Sequence, residues 1–144
     1  QDGVEGYRAL SKSTCLSADV NAAFDPTYAS AYEAKNCSYI NNGVIISKYT
    51  GHGGKYDTSD ASAEYMGKIR AMLEKNDILW QVGELGRVDL GGGGTIAKYV
   101  ANMNVDVVDL GVPVLSMHAP FEIVSKTDVY MAYRAFFAFF EANE

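Results

Sequence analysis

Short apolar runs, separated by polar and glycine-rich stretches, dominate the hydrophobic pattern of this chain. Each run is rich in β-branched or other apolar side chains and is too short for a long helix, so each predicts a buried strand. The runs cover residues 14–20, 43–49, 78–82, 105–110 and 112–117. Residues 21–34 predict a loop with one turn of helix, and the polar residues 50–59 predict a second loop.

The period of the pattern changes after Asp60. Apolar side chains then recur at helical spacing while charged side chains take the opposite face, which predicts an amphipathic helix. The apolar positions are Tyr65, Met66, Ile69, Met72 and Leu73. Asp60 or Ser59 can cap the start of this helix, since either side-chain oxygen can accept from free backbone amides, and Asn76 and Asp77 end it.

Two further helices are predicted. The glycine run at residues 91–94 leads into a helix that starts near Thr95, and the segment from Ser125 to Asp128 resembles a capping box that opens a final helix. We predict core packing for the apolar positions of the final helix, which include Val129, Tyr133, Phe136, Phe137 and Phe140. Strands that alternate with helices predict one α/β domain over residues 1–144, with a layered sheet that is at least partly parallel.

The composition argues against two classes of function, nucleic-acid binding and membrane insertion. The 144 residues carry a net charge of -6 and no basic cluster. Sequence-independent nucleic-acid binding needs several cations on one surface, so we expect no nucleic-acid partner. No apolar run approaches the roughly 18 residues of a membrane span, so we expect no membrane insertion. We see no secretory signal and expect a cytoplasmic location. Cys15 and Cys37 are too few for a disulfide framework.

Candidate chemistry collects at predicted strand ends. In open α/β sheets, ligands bind beyond the carboxyl ends of strands. Asp19, His118 and the segments of residues 48–59 and 91–95 all fall at such ends. Because imidazole and carboxylate groups are common metal ligands, Asp19 and His118 predict half of a metal site. We expect these two side chains to meet at a common rim.

Each candidate also has a simpler explanation. His118 can be an ordinary histidine with one hydrogen bond, and Asp19 can cap the turn that follows its strand. Glu122 can orient the ring of His118 or be a solvated surface residue. Lys48 and Lys55 can neutralise an anionic group of a substrate, although unpaired surface lysines are more common.

The glycine run at residues 91–94 allows the backbone to approach a ligand closely, and the helix after it presents an N-terminus that attracts anions. The run lacks the Lys-Ser/Thr ending of a Walker loop and the spacing of a dinucleotide fingerprint, and a flexible turn explains it equally well. His52, between Gly51 and Gly53, is expected in solvent rather than on a metal ion.

Four segments taken together resemble the aspartyl aminopeptidase and aminopeptidase I family, and its bacterial members in particular. The segments are residues 17–26, 60–64, 92–96 and 109–118, and they occur in the family's order. The resemblance implies an α/β/α sandwich, a catalytic site with two zinc ions, and peptide substrates. It also implies a cytosolic or vacuolar homo-oligomer, commonly a tetrahedral dodecamer, and a separate dimerisation domain that these residues do not contain.

By the same resemblance, Asp19 corresponds to a carboxylate ligand of one zinc ion and His118 to a histidine ligand of the other. Residues of the family's substrate-pocket loop correspond to Gly93, Gly94 and Thr95. Lys48 is a further candidate for contact with the substrate.

The family's remaining metal ligands and its glutamate general base lie upstream of the segment that matches Asp19. The 18 residues before Asp19 contain neither a His-x-Asp nor a Glu-Glu sequence, so the chain corresponds to the carboxyl-terminal part of the catalytic domain. We expect the isolated chain to bind zinc weakly and to hydrolyse no peptide, since the reaction needs a metal-activated water and a base. The alternatives are a non-catalytic α/β binding or assembly module, and a phosphate or nucleotide binder that uses residues 91–94.

Overall fold

The computed structural model describes residues 2–53, 55–87 and 89–142. Within these residues the elements, in chain order, are α1 (Asp2–Leu10), β1 (Thr14–Ser17), β2 (Asn21–Ala22), a 3-10 helix (Pro26–Ala31), β3 (Val44–Ser47), β4 (Tyr49–His52), β5 (Tyr56–Asp60), α2 (Ala63–Lys75), β6 (Trp80–Val82), α3 (Ala97–Ala101), β7 (Asp106–Gly111), β8 (Pro113–Leu115), β9 (Ile123–Val124) and α4 (Lys126–Glu141). None of the helices in the described part of the chain has the length and apolar character that a membrane crossing requires.

The central sheet of the described residues has four strands in the order β1–β7–β3–β6. β1 and β7 are parallel, β7 and β3 are antiparallel, and β3 and β6 are parallel. A smaller sheet joins β2, β8 and β9, and β4 pairs with β5. The prediction of an α/β fold with a mixed, partly parallel sheet is therefore confirmed.

The two faces of the central sheet differ in chemistry, because side chains alternate along each strand. One face is apolar and packs against α2 and α4; its buried side chains include Leu16, Val44, Ile46, Val108 and Leu110. The opposite face mixes apolar and polar side chains, and its buried residues include Ser17, Ile45, Ser47, Val107 and Asp109. The apolar face is the core, and the polar groups are concentrated on the other face.

The predicted amphipathic helix is α2, and its start was predicted wrongly. Ser62 is the N-cap, and its hydroxyl accepts from the backbone N–H of Tyr65 at 3.1 Å. Ser59 and Asp60 cannot cap the helix because they belong to β5. The loop predicted for residues 50–59 is wrong for the same reason: β4 and β5 pair antiparallel there. Gly54, within that segment, lies outside the described residues.

The capping box predicted at the start of the final helix is also absent. The hydroxyl of Ser125 donates to Asn41 Oδ1 at 3.0 Å and makes no capping bond to its own helix. The carboxylate of Asp128 instead accepts from the backbone N–H groups of Asn41 and Gly43, at 2.6 and 2.8 Å. Asp128 therefore anchors the turn before β3 to the first turn of α4.

The prediction of core packing for the aromatic positions of α4 is wrong for most of them. Ala135, Ala138 and Asp128 are the buried residues of the helix, and Phe136 packs at the edge of the core. Met131, Ala132 and Phe139 also pack against the core. Five other apolar side chains form an exposed face, which we call the α4 aromatic face: Val129, Tyr130, Tyr133, Phe137 and Phe140. Apolar residues occur all around α4, so their spacing did not show that the small alanines face the sheet.

The α4 aromatic face predicts self-association of the chain. A contiguous apolar patch of this kind marks an interaction surface, and Tyr133 is 63% and Phe137 53% exposed. We expect the wild-type chain to form dimers or larger species at high concentration, and the pair Tyr133→Lys and Phe137→Lys to shift its mass toward the monomer. Light scattering after size exclusion measures this. Tyr28→Lys, at an exposed tyrosine outside this face, is the control, and equal masses for all three proteins would contradict the prediction.

Candidate functional site

The site is built around Asp109, in the middle of β7 on the polar face of the central sheet. Ser17 lies beside it on β1 and Ser47 beside it on β3. Asp109 is only 5% exposed, and its Oδ2 accepts from the hydroxyls of Thr95 at 2.9 Å and Thr50 at 3.3 Å. A buried carboxylate needs such donors, because its desolvation is otherwise costly.

A cavity of about 20 Å³ lies over Asp109. Its polar lining residues are Asp19, Asn21, Ser47, Thr50, Thr95 and Asp109. Asp19 reaches the cavity because Gly111 leaves room for its backbone: a Cβ on Gly111 would lie 1.5 Å from the carbonyl oxygen of Asp19. The structure therefore brings together two of the predicted site residues, Asp19 and Thr95.

Asn21 joins three segments at the floor of the site. Its Nδ2 donates to Ser47 Oγ at 2.8 Å and to the carbonyl of Gly83 at 3.1 Å, and Ser47 Oγ donates to the same carbonyl at 2.9 Å. Three buried polar atoms in this region have no hydrogen-bond partner among the described residues, namely Ser17 Oγ, Asn21 Oδ1 and Asp109 Oδ1. Such atoms are rare in folded proteins and mark places with unused binding capacity.

The electrostatics of Asp109 follow from this surrounding. Burial raises the pKa of Asp109 above its ordinary value, and the negative charge of Asp19 adds to the increase. The hydroxyls of Thr95 and Thr50, which donate to Asp109, stabilise its charged form and oppose this increase. The carboxyl groups of Asp19 and Asp109 line one cavity, and two like groups in one place suit a cation better than an anion.

The glycine run is held by β4. The backbone N–H of Gly53 donates to the carbonyl of Gly91 at 3.0 Å, and Gly92 forms a bridge with His52. Gly92 has a φ of +109°, and a Cβ there would lie 1.7 Å from the carbonyl oxygen of Gly51. A Cβ on Gly94 would meet nothing within 4 Å. Packing therefore explains the first two glycines, and Gly93 and Gly94 stay predicted substrate contacts.

Lys48 and Lys55 are not free cations. Lys48 Nζ bonds to one oxygen of Asp60, and Lys55 Nζ bonds to the other at 2.7 Å. Partial burial alone would raise the pKa of Asp60, but the two lysines outweigh it and lower that pKa. The interpretation of these lysines as an anion-neutralising pair is weakened, since Asp60 already neutralises part of their charge. Whether Lys48 contacts a substrate stays a prediction.

Glu84 lines a neighbouring cavity of about 20 Å³ together with Tyr49, Arg87 and Asp89. Burial raises the pKa of Glu84 from 4.5 to about 7, Lys55 opposes this shift, and Asp60 adds to it. No hydrogen bond to the Glu84 carboxyl group comes from the part of the chain that the structure describes. A carboxyl group that titrates near neutral pH is typical of functional sites.

The raised pKa of Glu84 predicts a pH-dependent stability. Between pH 4.5 and about 7, the folded state holds a proton on Glu84 that the unfolded state has released, so stability falls as pH rises. We expect Glu84→Gln to raise the thermal midpoint at pH 8 and to leave it unchanged near pH 5. Glu74→Gln, at an exposed glutamate of α2, should have little effect at either pH. An equal shift for Glu84→Gln at both pH values would contradict the pKa.

His118 lies in the turn between β8 and β9, where its φ is +66°. Its backbone N–H donates to Glu122 Oε1 at 2.6 Å. Glu122 therefore bonds to the backbone of His118 rather than orienting its ring. The imidazole is exposed, as is the ring of His52, which packs edge-on against Tyr56 at 5.2 Å. The expectation that His52 lies in solvent is confirmed.

The structure does not place His118 in the cavity that Asp19 lines. Asp19 packs against Gly111, before the start of β8, whereas His118 follows the end of that strand. β3 is antiparallel to β7, so the segment after β3 starts at the opposite edge of the sheet from the segments that follow β1 and β7. The hydroxyl of Thr50 contacts Asp109 across the face of the sheet. The segment of residues 48–59 therefore does not follow a strand that ends at the same edge of the sheet as β1 and β7.

The described residues do not supply a complete set of zinc ligands. The described residues contain no group of three or more His, Cys, Asp or Glu side chains able to hold a metal ion. Asp19 uses Oδ1 to accept from the backbone N–H of Val20 at 2.9 Å, which fits the simpler explanation of a turn cap. That Asp19 and His118 bind zinc stays a prediction.

Sequence reasoning missed the residues at the centre of the site. Asp109, Asn21 and Ser47 were not predicted as site residues, although Asp109 interrupts an apolar run of β7. Thr50 was covered only by the candidate segment 48–59. A carboxylate inside an otherwise buried strand is a usable signal, because it must find partners there. The partners themselves come from distant segments, and no local pattern shows them.

Comparison with known proteins identifies relatives of this chain. The family model for "Aminopeptidase I zinc metalloprotease (M18)" matches residues 3–140. A probable M18 family aminopeptidase 1 from Borrelia garinii is 49% identical over 140 residues, which is 97% of this chain and 31% of the relative. The crystal structure of aminopeptidase I from Clostridium acetobutylicum superposes with a TM-score of 0.89 and 47% identity, over 92% of this chain and 29% of that one.

The S. cerevesiae mApe1 dodecamer shares the fold at 22% identity, with a TM-score of 0.70, over 94% of this chain and 28% of that one. The chain thus spans less than a third of the length of these relatives. The match nevertheless extends over nearly all of its residues and agrees with the mixed sheet described above. The chain belongs to the aminopeptidase I family of zinc metalloproteases, M18.

Proposed function

We propose that this chain is the carboxyl-terminal part of the catalytic domain of a zinc-dependent aminopeptidase, which releases amino-terminal residues from peptides. The family match over residues 3–140 carries the proposal. The cavity shared by Asp19 and Thr95 supports a site at this position, since it collects polar groups from several strands and loops. In this proposal residues 1–144 form one unit of a longer enzyme.

Asp19 and His118 are the zinc ligands in this proposal, in a site that holds two zinc ions. The second oxygen of Asp19 and the ring of His118 have no hydrogen-bond partner among the described residues, so both can bind a cation. Zinc commonly takes four ligands, and the remaining ligands therefore come from outside this chain. When bound, zinc supplies a nucleophilic water at neutral pH and polarises the peptide carbonyl.

The substrate contacts that we propose are Gly93, Gly94, Thr95 and Lys48. Thr95 supports this assignment best, because it lies at the cavity of Asp19. Gly94 has open space around it, which leaves its backbone accessible to a peptide. Lys48 acts as part of an ion-pair group in which one carboxylate, Asp60, is shared with Lys55.

We further propose a cytoplasmic homo-oligomer that binds neither nucleic acid nor membranes. The net charge of -6 argues against nucleic-acid binding. The α4 aromatic face supports packing against other protein, either the remainder of the catalytic domain or a second subunit. A dodecamer, as for mApe1, is the assembly that the family resemblance favours.

The test uses the full-length protein that contains this chain, loaded with zinc. We expect it to release amino-terminal residues from unblocked peptides and to leave N-acetylated peptides intact. Asp19→Asn and His118→Gln should each lower kcat/KM by at least about 100-fold, since metal-site residues carry effects of this size. His52→Gln, at the other exposed histidine, should keep wild-type activity. Wild-type activity of the His118 and Asp19 variants would overturn the assignment.

The isolated chain should be inactive. We expect the 144 residues alone to lose zinc on dialysis and to hydrolyse no peptide, because they supply too few ligands for a closed zinc site. Metal analysis after dialysis and a peptidase assay measure both quantities. Stoichiometric zinc with turnover would contradict the proposal of a partial site. Activity absent from the full-length protein as well would favour the non-catalytic module.

A further inference from the structure

Asp109 holds together segments that the proposed site uses. One carboxylate oxygen accepts from Thr95, at the end of the glycine run, and from Thr50 on β4. The hydroxyls of Thr50 and Thr95 are themselves 3.1 Å apart. Ser17 lies next to Asp109 in the register of β1 and β7, two residues before Asp19. A single side chain thus contacts or adjoins the strand before Asp19, β4 and the glycine run.

The glycine run is held at both of its ends. At its start, Gly91 and Gly92 are fixed by backbone contacts with β4. At its end, the hydroxyl of Thr95 reaches Asp109. Between these two points, a Cβ on Gly94 would contact nothing within 4 Å. Gly93 itself lies against Leu85, where a Cβ would come within 2.9 Å of Leu85 Cδ2. The side-chain hydrogen bonds that hold the end of the run are those of the Thr95 hydroxyl to Asp109 and Thr50.

Stability of the sheet does not explain an aspartate at this place. On its own face of the sheet Asp109 lies between Ser17 and Ser47, and an aliphatic side chain there would avoid the desolvation of a carboxylate. No lysine or arginine forms an ion pair with Asp109 within the described parts of the chain. Its Oδ1 has no partner there either. The contacts that Asp109 does make are to hydroxyls that lie at the proposed site.

We infer that Asp109 is a positioning residue of the proposed aminopeptidase: its Oδ2 holds the hydroxyl of Thr95 and thereby fixes residues 93–95 beside Asp19. The inference rests on the proposed function and adds a residue that makes no contact with substrate. A loop that is held in place before substrate arrives loses less conformational freedom on binding. Small displacements of substrate-positioning groups are known to lower rates strongly.

Four variants of the full-length enzyme separate the hydrogen bond from the charge. Asp109→Leu removes every acceptor at similar size, whereas Asp109→Asn keeps one acceptor oxygen and removes only the charge. Thr95→Val removes the hydroxyl at constant shape, whereas Thr95→Ser keeps it. We expect Asp109→Leu and Thr95→Val to lower kcat/KM by about 10- to 100-fold. Asp109→Asn should stay within about threefold of wild type, because it retains an acceptor for the Thr95 hydroxyl. Thr95→Ser should recover most of the kcat/KM that Thr95→Val loses, because it restores the donor.

The division between KM and kcat distinguishes positioning from a loss of folded enzyme. A partly unfolded preparation has a lower apparent kcat and an unchanged KM, whereas a displaced substrate loop raises KM. We expect a raised KM for Asp109→Leu and Thr95→Val. The double variant should resemble the single ones, because the two residues act through one contact. Independent, multiplying effects, or unchanged KM values, would overturn the inference.

Hydrogen exchange of residues 91–96 gives a second readout that needs no activity. The amides of this segment should exchange faster in Thr95→Val than in wild type or Thr95→Ser, because the segment has lost its attachment. Equal exchange in all three proteins would overturn the inference, even where Asp109→Leu does not fold. If the wild-type enzyme is inactive but shows the expected exchange pattern, the proposed function is refuted, while the structural role of the hydrogen bond between Thr95 and Asp109 is supported. An active wild-type enzyme with unaffected variants would refute the inference alone.

Discussion

Gly111→Ala is expected to lower the free energy of unfolding by about 3 kcal/mol or more, since overpacking of this kind already costs about 1–3 kcal/mol when side chains can adjust. Here the clash is with backbone. A Cβ on Gly111 would lie 1.5 Å from the carbonyl oxygen and 2.5 Å from the carbonyl carbon of Asp19. Either β7 or the segment of Asp19 has to move. Gly111 also pairs with Ile45 on β3, which limits the movement of β7.

The same variant should displace Asp19 from the cavity that it shares with Thr95. In the full-length enzyme we therefore expect zinc affinity and kcat/KM to fall together with stability. Urea denaturation followed by fluorescence of the tryptophan on β6 measures the stability change. Gly94→Ala is the matched control, because a Cβ there meets nothing within 4 Å, and it should change the unfolding free energy by less than about 0.5 kcal/mol. Similar stabilities for the two alanine variants would show that the contact between Gly111 and Asp19 is looser than described.

Asp128→Ala is expected to destabilise the chain by about 2–3 kcal/mol, since a buried donor that loses its partner costs about 1–3 kcal/mol and the Gly43 donor is buried while the Asn41 donor is partly buried. Asp128 is 1% exposed and accepts from two backbone N–H groups, those of Asn41 and Gly43. Water cannot easily replace the carboxylate at a buried position. The loss should release the turn before β3 from the first turn of α4.

Two comparisons test the reason for this effect. Asp128→Asn keeps one acceptor oxygen and should show a smaller loss than Asp128→Ala. Glu64→Ala, at an exposed acidic residue in the first turn of α2, should cost less than about 1 kcal/mol, which is typical of a charge near a helix N-terminus. Urea midpoints of the four proteins measure these differences. A similar loss for Glu64→Ala and Asp128→Ala would point to helix electrostatics rather than to the buried hydrogen bonds.

The positive charge near the site is lower than the two lysines in the sequence suggested. Lys48 and Lys55 were candidates for an anion-binding pair, yet both bond to Asp60. Glu84 lies close enough for its pKa to respond to Lys55 and Asp60. Asp60 alone therefore neutralises only part of the charge of the two lysines, and Glu84 adds a negative charge only above a pH of about 7. Only the spatial arrangement reveals this, since the four residues are spread over 37 positions from Lys48 to Glu84.

The sequence by itself determined the main buried strands, the helix α2 and the family. Apolar runs located β1, β3, β6, β7 and β8, and helical spacing located α2, because the periods of strands and helices are set by backbone geometry. The family resemblance carried by residues 17–26, 60–64, 92–96 and 109–118 agrees with the family match. These features depend on neighbours along the chain, and a local pattern is enough to show them.

Tertiary structure alone decided the direction of β3, the face of α4 that is buried, and the role of Asp109. The antiparallel pairing of β3 with β7 sends Thr50 across the sheet to Asp109. Ala135 and Ala138 face the core because small side chains let α4 approach the sheet, which leaves larger aromatics exposed. Asp109 obtains its partners from segments 14 and 59 positions away. Contacts of this kind exist only after distant segments have packed, so no local pattern encodes them.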